Sequence, residues 1–239
     1  MLLALDTSTS AITVAVLGLD GGLLAEQTVI DPRATTEQLA PLIERALREA
    51  DATPGDITLV AVGTGPGPFT GLRVGIVTGR SFAHARSIPV LGVPSHDAMA
   101  QQWFFGGAEG TVLVATDARR KEVYTSVYDR VAPEDEDHLI WARTAGPEVR
   151  RPQDLPEHWR GLPTLGRGPH LYPDHLPQSV GPLDVSAAAL GGVALARYHV
   201  GEDQPTEPLY LRRPDAADPG RPASTLRGEG GPPAPKGRP

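Results

Sequence analysis

LLALDTSTSAITVAV, residues 2–16, and VLVATDARRKEVYTSV, residues 112–127, share one layout: an apolar strand ending on aspartate, a polar turn, and a second strand. Asp6 and Asp117 lie 111 positions apart, and at that offset Ile12, Val14 and Val16 fall on Val123, Thr125 and Val127. A layout repeated in this way reads as an internal duplication, with two similar lobes that each open on an Asp-ended strand. A chain of 239 residues has the length for two such lobes and a real core.

Between the two copies the periodicity alternates between strand and helix. Residues 2–5, 11–17 and 23–30 read as strands, with a GLDGG turn at 18–22. In 35–51, TTEQLAPLIERALREAD, the residues Leu39, Leu42, Ile43, Ala46, Leu47 and Ala50 recur at helical spacing. Thr35 followed by Gln38 suits a capping box, and Pro41, beyond the tolerant first turn, predicts a kink or a later start. ITLVAVG (57–63) reads as a buried strand, 70–86 as a helix, and PVLGV (89–93) as a strand; Ser95 then caps a helix to about Phe105. Strand, helix, strand implies a right-handed crossover and parallel pairing.

The expected division is a first lobe over 1–107, a second over 108–213, and a Pro/Gly-rich tail over 214–239. SAAALGGVALARYHVG (186–201) is expected as a second-lobe helix and PLYLR (208–212) as a final short strand. The tail has almost no apolar content to offset its ordering entropy, so it is expected to be disordered.

Composition narrows the chemistry. There is no cysteine, which excludes disulfides, thiol nucleophiles and Cys-based metal sites. Lys121 and Lys236 are the only lysines, leaving almost no place for a phosphate-loop or Schiff-base lysine. A net charge of −7 gives no global sign of nucleic-acid binding. The apolar start lacks a basic leader and is interrupted by Asp6, and no run approaches the ~18 residues of a spanning helix, so the cytoplasm is the expected location and no membrane contact is implied. The seven histidines, at 84, 96, 138, 158, 170, 175 and 199, show no H-x-x-x-H or H-E-x-x-H spacing, and no G-x-S-x-G is present, so neither a metal site nor a catalytic constellation is read.

VGTGPGPFTGLRVGIVTGRSFA, residues 62–83, resembles a nucleotide loop at first reading. A Walker A loop requires Lys-Ser/Thr after its last glycine, whereas Leu72 and Arg73 follow Gly71; the dinucleotide fingerprint fails at Pro68. Pro66 and Pro68 remove N–H groups that a phosphate cradle would use. The stretch therefore reads as a stiff connection into a helix. In that helix Gly71, Gly75, Gly79 and Ala83 form a stripe at spacing four, and each interior glycine costs about 1 kcal/mol relative to alanine. Something must approach closely along it, and two arrangements stay open: a sheet on one side with a partner on another, or full burial in the monomer. Asp6 has two open readings as well. It caps its own turn, or it organises the waters of a Mg²⁺ with Thr7 and Thr9 nearby, as in an actin-like ATPase or phosphotransferase. Asp117 with Arg119, Arg120 and Lys121 reads as a solvated hairpin tip.

Four segments taken together resemble the TsaB (YeaZ) family: LALDTST, VGTGPGPFTGLRVGI, TDARRKEVY and EPLYLR, in the family's order over about 1–213. The resemblance implies an α/β fold of two lobes of the actin/Hsp70/sugar-kinase type. It implies a non-catalytic subunit in synthesis of threonylcarbamoyladenosine on tRNA, needing no cofactor, that pairs with the transferase TsaD, is joined by the ATPase TsaE, meets tRNA indirectly, and forms a homodimer when alone. The family's contact is a helical bundle of the two first-lobe helices, which here implies Leu39, Leu42, Ile43, Leu47, Leu72, Gly75, Ile76, Gly79 and Ala83 as interface residues. Two departures stand out. Thr35 occupies a position where relatives often have histidine, and the usual GPGSFTG reads GPGPFTG; both weaken a nucleotide role. A peptidase, suggested by the related glycoprotease family name, would need ligands or a nucleophile that the sequence does not offer.

Overall fold

The computed structural model describes residues 1–31, 34–132 and 139–212; the expected disordered tail, 214–239, lies outside the described residues. The first half forms β1 (Leu2–Asp6), β2 (Ala11–Leu17), β3 (Leu23–Ile30), α1 (Thr35–Glu49), β4 (Leu59–Gly63), α2 (Phe69–Arg86), β5 (Val90–Val93) and α3 (Ser95–Phe105). The second forms β6 (Thr111–Asp117), β7 (Val123–Arg130), β8 (Trp141–Arg150), α4 (Glu157–Arg160), β9 (Thr164–Leu165), α5 (Gly168–Leu171) and α6 (Ala187–His199). Among these helices none is long and apolar enough to cross a membrane.

The strands assemble into two mixed sheets, β3-β2-β1-β4-β5 and β8-β7-β6-β9, flanked by helices. In each sheet the opening strand pairs antiparallel with the next and parallel with a strand that arrives after a helix. The duplication is thus visible as a repeated strand order. Its register differs by one from the sequence alignment: Asp6 faces Thr13 while Asp117 faces Val123, so Thr13 rather than Ile12 is the counterpart of Val123. The second hairpin has the shorter turn.

Alternation along the strands sends side chains to two buried layers. Leu3, Leu5, Ile12, Val14, Val60 and Val62 face α1 and α2, while Leu2, Ala4, Ala15, Leu17, Leu59 and Ala61 face the opposite way. That second layer meets α3, α6 and, from the other sheet, Val112, Val114 and Tyr128 in one continuous core. The helix expected to serve the second lobe, α6, therefore packs Leu190, Val193 and Ala194 against the first sheet. Leu113, Ala115, Val123 and Val127 back the second sheet with a smaller cluster.

Several local expectations are corrected. The helix starts at Thr35, with Ala34 as its cap and no side-chain capping bond, and it continues through Pro41. Burial of Leu39, Leu42 and Ile43 outweighs the lost hydrogen bond. Residues 208–212 form no strand; the chain from Gln204 to Leu209 makes two backbone bonds beside the parallel strands, Gly92 N–H donating to Gln204 O (2.9 Å) and Leu209 N–H to Thr64 O (2.8 Å).

The residues implied as an interface turn inward. Leu39, Leu42, Ile43, Leu47, Leu72, Gly75, Ile76, Gly79 and Ala83 are all buried, the side chains packed on the first sheet. The glycine stripe lies on the chain's own strands: a Cβ on Gly71 would stand 2.5 Å from Thr7 O, on Gly75 2.3 Å from Thr7 Oγ1, and on Gly79 2.2 Å from Val62 Cγ1. Helical periodicity identifies an apolar face but not what covers it, and here the monomer covers it.

Alanine at Gly75 would favour the helix by about 1 kcal/mol, yet it displaces the Thr7 hydroxyl from its bond to Gly71 O (2.7 Å). Overpacking of this kind costs about 1–3 kcal/mol. Gly75→Ala is therefore expected to leave the protein net less stable, by up to about 2 kcal/mol in urea denaturation; a stabilised variant would refute the close packing.

Candidate functional site

The ends of β1, β4 and β6 and the start of α3 converge between the two sheets. The turn after β1 begins at Asp6, whose carboxylate is 1% exposed. Its Oδ1 accepts from the Ser8 backbone N–H and from Ser8 Oγ, both at 2.7 Å. Its Oδ2 accepts from Ser95 Oγ at 2.5 Å. Burial pushes the pKa up and the Asp184 charge adds to the push, while hydrogen bonds from Ser95 and Ser8 pull it down. Gly63 makes the approach possible, since a Cβ there would lie 1.8 Å from Asp6 Oδ2.

The loop after β4 is pinned to the same point. Ser95 Oγ accepts from Gly65 N–H (3.0 Å), and Ser95 N–H donates to Gly65 O (2.7 Å). Gly67 is held bare by the turn itself, its Cβ position being 2.4 Å from Ser8 O. Ser95, expected to cap α3, is instead the helix's first residue; Pro94 is the cap, and the Ser95 hydroxyl ties loop 63–68 to Asp6.

The next two residues were missed by sequence reasoning. His96 is fully buried, with Nδ1 2.9 Å from Ser126 Oγ and Nε2 2.9 Å from Thr116 Oγ1. Burial, aided by the Arg143 charge, lowers its pKa to about 3, so the ring is neutral and each hydroxyl takes the role complementary to its nitrogen. Asp97 receives the Tyr128 hydroxyl (2.7 Å) and pairs with Arg197 (2.6 Å) and Arg143 (3.4 Å). Tyr128 meets Trp141 edge to face at 5.3 Å. Ser95, His96 and Asp97 each point to a different partner and form no catalytic triad. Their one sequence signal is three adjacent polar residues opening a helix that goes on with Ala98, Met99 and Ala100.

A cleft opens beside this centre, lined by Ser8, Thr9, Ser10, Thr116, Asp117, Arg119, Arg167 and Asp184. Arg167 pairs through Nη2 with Asp184 Oδ2, while Asp184 Oδ1 accepts from Ser10 N–H (3.2 Å). Of the residues considered for a nucleotide, Asp6 is sealed behind the turn, Thr7 donates to Gly71 O, and Thr9 lines the cleft while accepting from Ala11 N–H (3.4 Å). The arrangement is chemically a staple; the carboxylate that could order a cation's waters spends both oxygens on the protein.

The hairpin tip is solvated as expected. Arg119, Arg120 and Lys121 are exposed, and Asp117 Oδ1 accepts from Arg119 N–H (2.7 Å). All three cations have positive φ, at 61°, 52° and 63°. Each such non-glycine residue carries strain on the order of 1 kcal/mol.

A sequence profile described as TsaD, tRNA N6-adenosine threonylcarbamoyltransferase, matches residues 24–145. The tRNA threonylcarbamoyladenosine biosynthesis protein TsaB of Escherichia coli is 33% identical over 178 residues, covering 72% of this chain and 74% of its own. An uncharacterized protein of Mycobacterium tuberculosis is 39% identical over 215 residues, covering 90% and 92%. The solved structure of YeaZ from Pseudomonas aeruginosa superposes with a TM-score of 0.73 at 29% identity, covering 88% of this chain and 99% of that one.

The buried histidine sets a pH dependence. Its folded pKa, about 3, lies below the unfolded value near 6.5. Above pH ~6.5 both states are neutral and stability is complete; below it the unfolded chain binds a proton that the folded one refuses, and stability falls towards pH ~3. The raised pKa of Asp6 acts in the opposite sense, so the effect is read as a difference. The stability gap between wild type and His96→Gln is expected to shrink by about 1.4 kcal/mol per pH unit below pH 6. A gap independent of pH would show that His96 is charged in the folded protein.

Proposed function

This chain belongs to the TsaB (YeaZ) family, and from that premise we propose that it is a non-catalytic subunit of tRNA threonylcarbamoyladenosine synthesis that binds and supports a TsaD-type transferase. The observation that carries the non-catalytic reading is the state of Asp6. In an actin-like phosphotransferase a strand-ending carboxylate must face the cleft to order the waters of a metal–nucleotide complex. Here it faces Ser8 and Ser95 and is shut off from the cleft. Its role is to hold the first turn, the glycine-rich loop and α3 in one arrangement. We further propose the cytoplasm as the site of action, a TsaE-type ATPase as a further component, and a homodimer in the partner's absence.

The docking surface in this reading remains the pair of first-lobe helices, but with their outward residues. On α2, Arg73, Val77, Arg80 and His84 share the exposed side, with Val77 at its centre and 58% exposed. Ala40, Pro41 and Glu44 are exposed on the neighbouring α1. An exposed valine among cations is a suitable apolar anchor for a partner helix. A Gly75→Leu variant cannot test this surface, because its side chain would collide with Thr7 and disturb the fold itself.

Val77→Glu is the cleaner probe. Mixed with the TsaD-type protein of the same organism, it is expected to weaken the heterodimer at least tenfold, about 1.4 kcal/mol, by light scattering and calorimetry. The thermal unfolding midpoint should stay within about 2 °C of wild type, since a surface change leaves the core packing untouched. Unchanged affinity would move the interface elsewhere. Titration of the isolated chain with Mg-ATP is expected to give no saturable heat; tight, Mg²⁺-dependent binding would reinstate the phosphotransferase.

A further inference from the structure

The β6–β7 connection places Arg119, Arg120 and Lys121 consecutively in the left-handed region, all exposed. Glycine or asparagine would form such a turn with little strain. The residues found there are long cations, so the position is occupied for its side chains rather than for ease of turning. The tip is also braced. Arg212 Nη1 donates to Ala118 O (2.6 Å), and its Nη2 pairs with Glu122 (2.5 Å).

Beside the tip lies a recess of about 300 Å³ lined by Arg119, Arg212, Tyr124, Phe69 and Tyr210 among others. The Tyr210 ring, in a residue 42% exposed, lies against Phe69 with centroids 4.9 Å apart. Phe69 and Thr70, which begin α2, also line the recess, and that helix start has no side-chain cap and no acidic residue in its first turn. Its unneutralised dipole adds positive potential to the arginines. The ion pair of Arg119 with Asp117, at 3.5 Å, is solvent-exposed and yields readily to a stronger anion.

A cationic tip next to an exposed aromatic ring is the combination that recognises single-stranded nucleic acid: cations take the phosphates and the ring takes a base. An acidic protein surface would use the cations and leave the ring idle. Local placement matters in a chain of net charge −7, where only a patch can attract a polyanion. We propose that this face, formed by the β6–β7 tip, the 208–212 segment and the start of α2, contacts an unpaired segment of the RNA substrate. Arg119, Arg120 and Lys121 pair with phosphates, and Tyr210 stacks on a base. The inference rests on the functional reading above, because this face includes the start of α2, the helix assigned there to the transferase.

The test is fluorescence anisotropy with labelled substrate tRNA, titrated with the heterodimer between roughly 50 and 200 mM salt. The combined Arg119→Ala, Arg120→Ala, Lys121→Ala variant is expected to bind at least tenfold more weakly at the low-salt end. Its slope of log affinity against log salt should fall by about two, at ~0.7 for each phosphate that is no longer paired with a cation. Tyr210→Ala is expected to lose several-fold in affinity with the slope unchanged, and Tyr210→Phe to restore it. Light scattering on the same variants should show the heterodimer intact. Wild-type affinity and slope in the triple variant would overturn the proposal, and so would loss of the heterodimer, which would make this face a protein–protein surface. The same titrations on the chain alone separate the two readings. If no heterodimer forms but tRNA binds with a slope that the triple variant loses, the RNA face stands and the partner assignment falls. If tRNA binds neither form, the RNA face falls.

Discussion

The Ser95 hydroxyl donates to a carboxylate that has no access to water, and the arrangement of both sheets follows from that bond and its two neighbours. A buried Asp6 without its hydrogen bonds would be an uncompensated charge costing several kcal/mol, so β1, the glycine-rich loop and α3 must meet where they do. One residue on, His96 reaches the second sheet through Thr116 and Ser126. The next, Asp97, draws in β7, β8 and α6 through Tyr128, Arg143 and Arg197. Three successive side chains at one helix start thus tie together most of the fold. Apolar packing supplies the bulk of the stability, but it is non-directional; these polar bonds specify which surfaces face each other.

Much of the architecture was legible from one-dimensional pattern. Apolar runs and turn residues marked β1 to β3, period 3.6 marked α1, and the repeated Asp-ended strand announced two related sheets. The pattern failed wherever the answer depended on what lies opposite. α6 was legible as an apolar helix, but its sequence could not say that the first sheet would receive it. The stripe at Gly71, Gly75 and Gly79 showed that something comes close, and the resemblance suggested a partner, whereas the neighbours are Thr7 and Val62. Ser95 carried the ordinary signature of a helix cap, and only the third dimension turned its hydroxyl towards Asp6. His96 and Asp97 carried only the weak signal of polar residues at a helix start, because a buried polar residue and a solvated one look alike in a string.

The glycine-rich segment and the Asp6 turn are complementary halves of one contact. Gly63, Gly67, Gly71 and Gly75 leave bare backbone against residues 6–8, so the motif that resembles a phosphate loop cradles a piece of its own chain. The features that look like remnants of nucleotide chemistry are consumed in architecture, which leaves outward helix faces, cleft rims and the braced hairpin as the surfaces on which a supporting subunit could act.

The packing of α3 and α6 has a consequence for how the protein is made. Helices from each half fill the space between the sheets, and one face of the first sheet, including Leu2, Ala4 and Leu17, is covered by α6. On the ribosome, β5 ends at Val93 but α6 is complete only at His199. At translation rates of roughly 5–20 residues per second, the nascent first sheet waits on the order of 5–20 s with an apolar face uncovered. The first half can acquire its secondary structure early, but it cannot finish its core until the second half has emerged. The two halves are interlocked, and during synthesis the apolar face of the first sheet stays uncovered until α6 arrives.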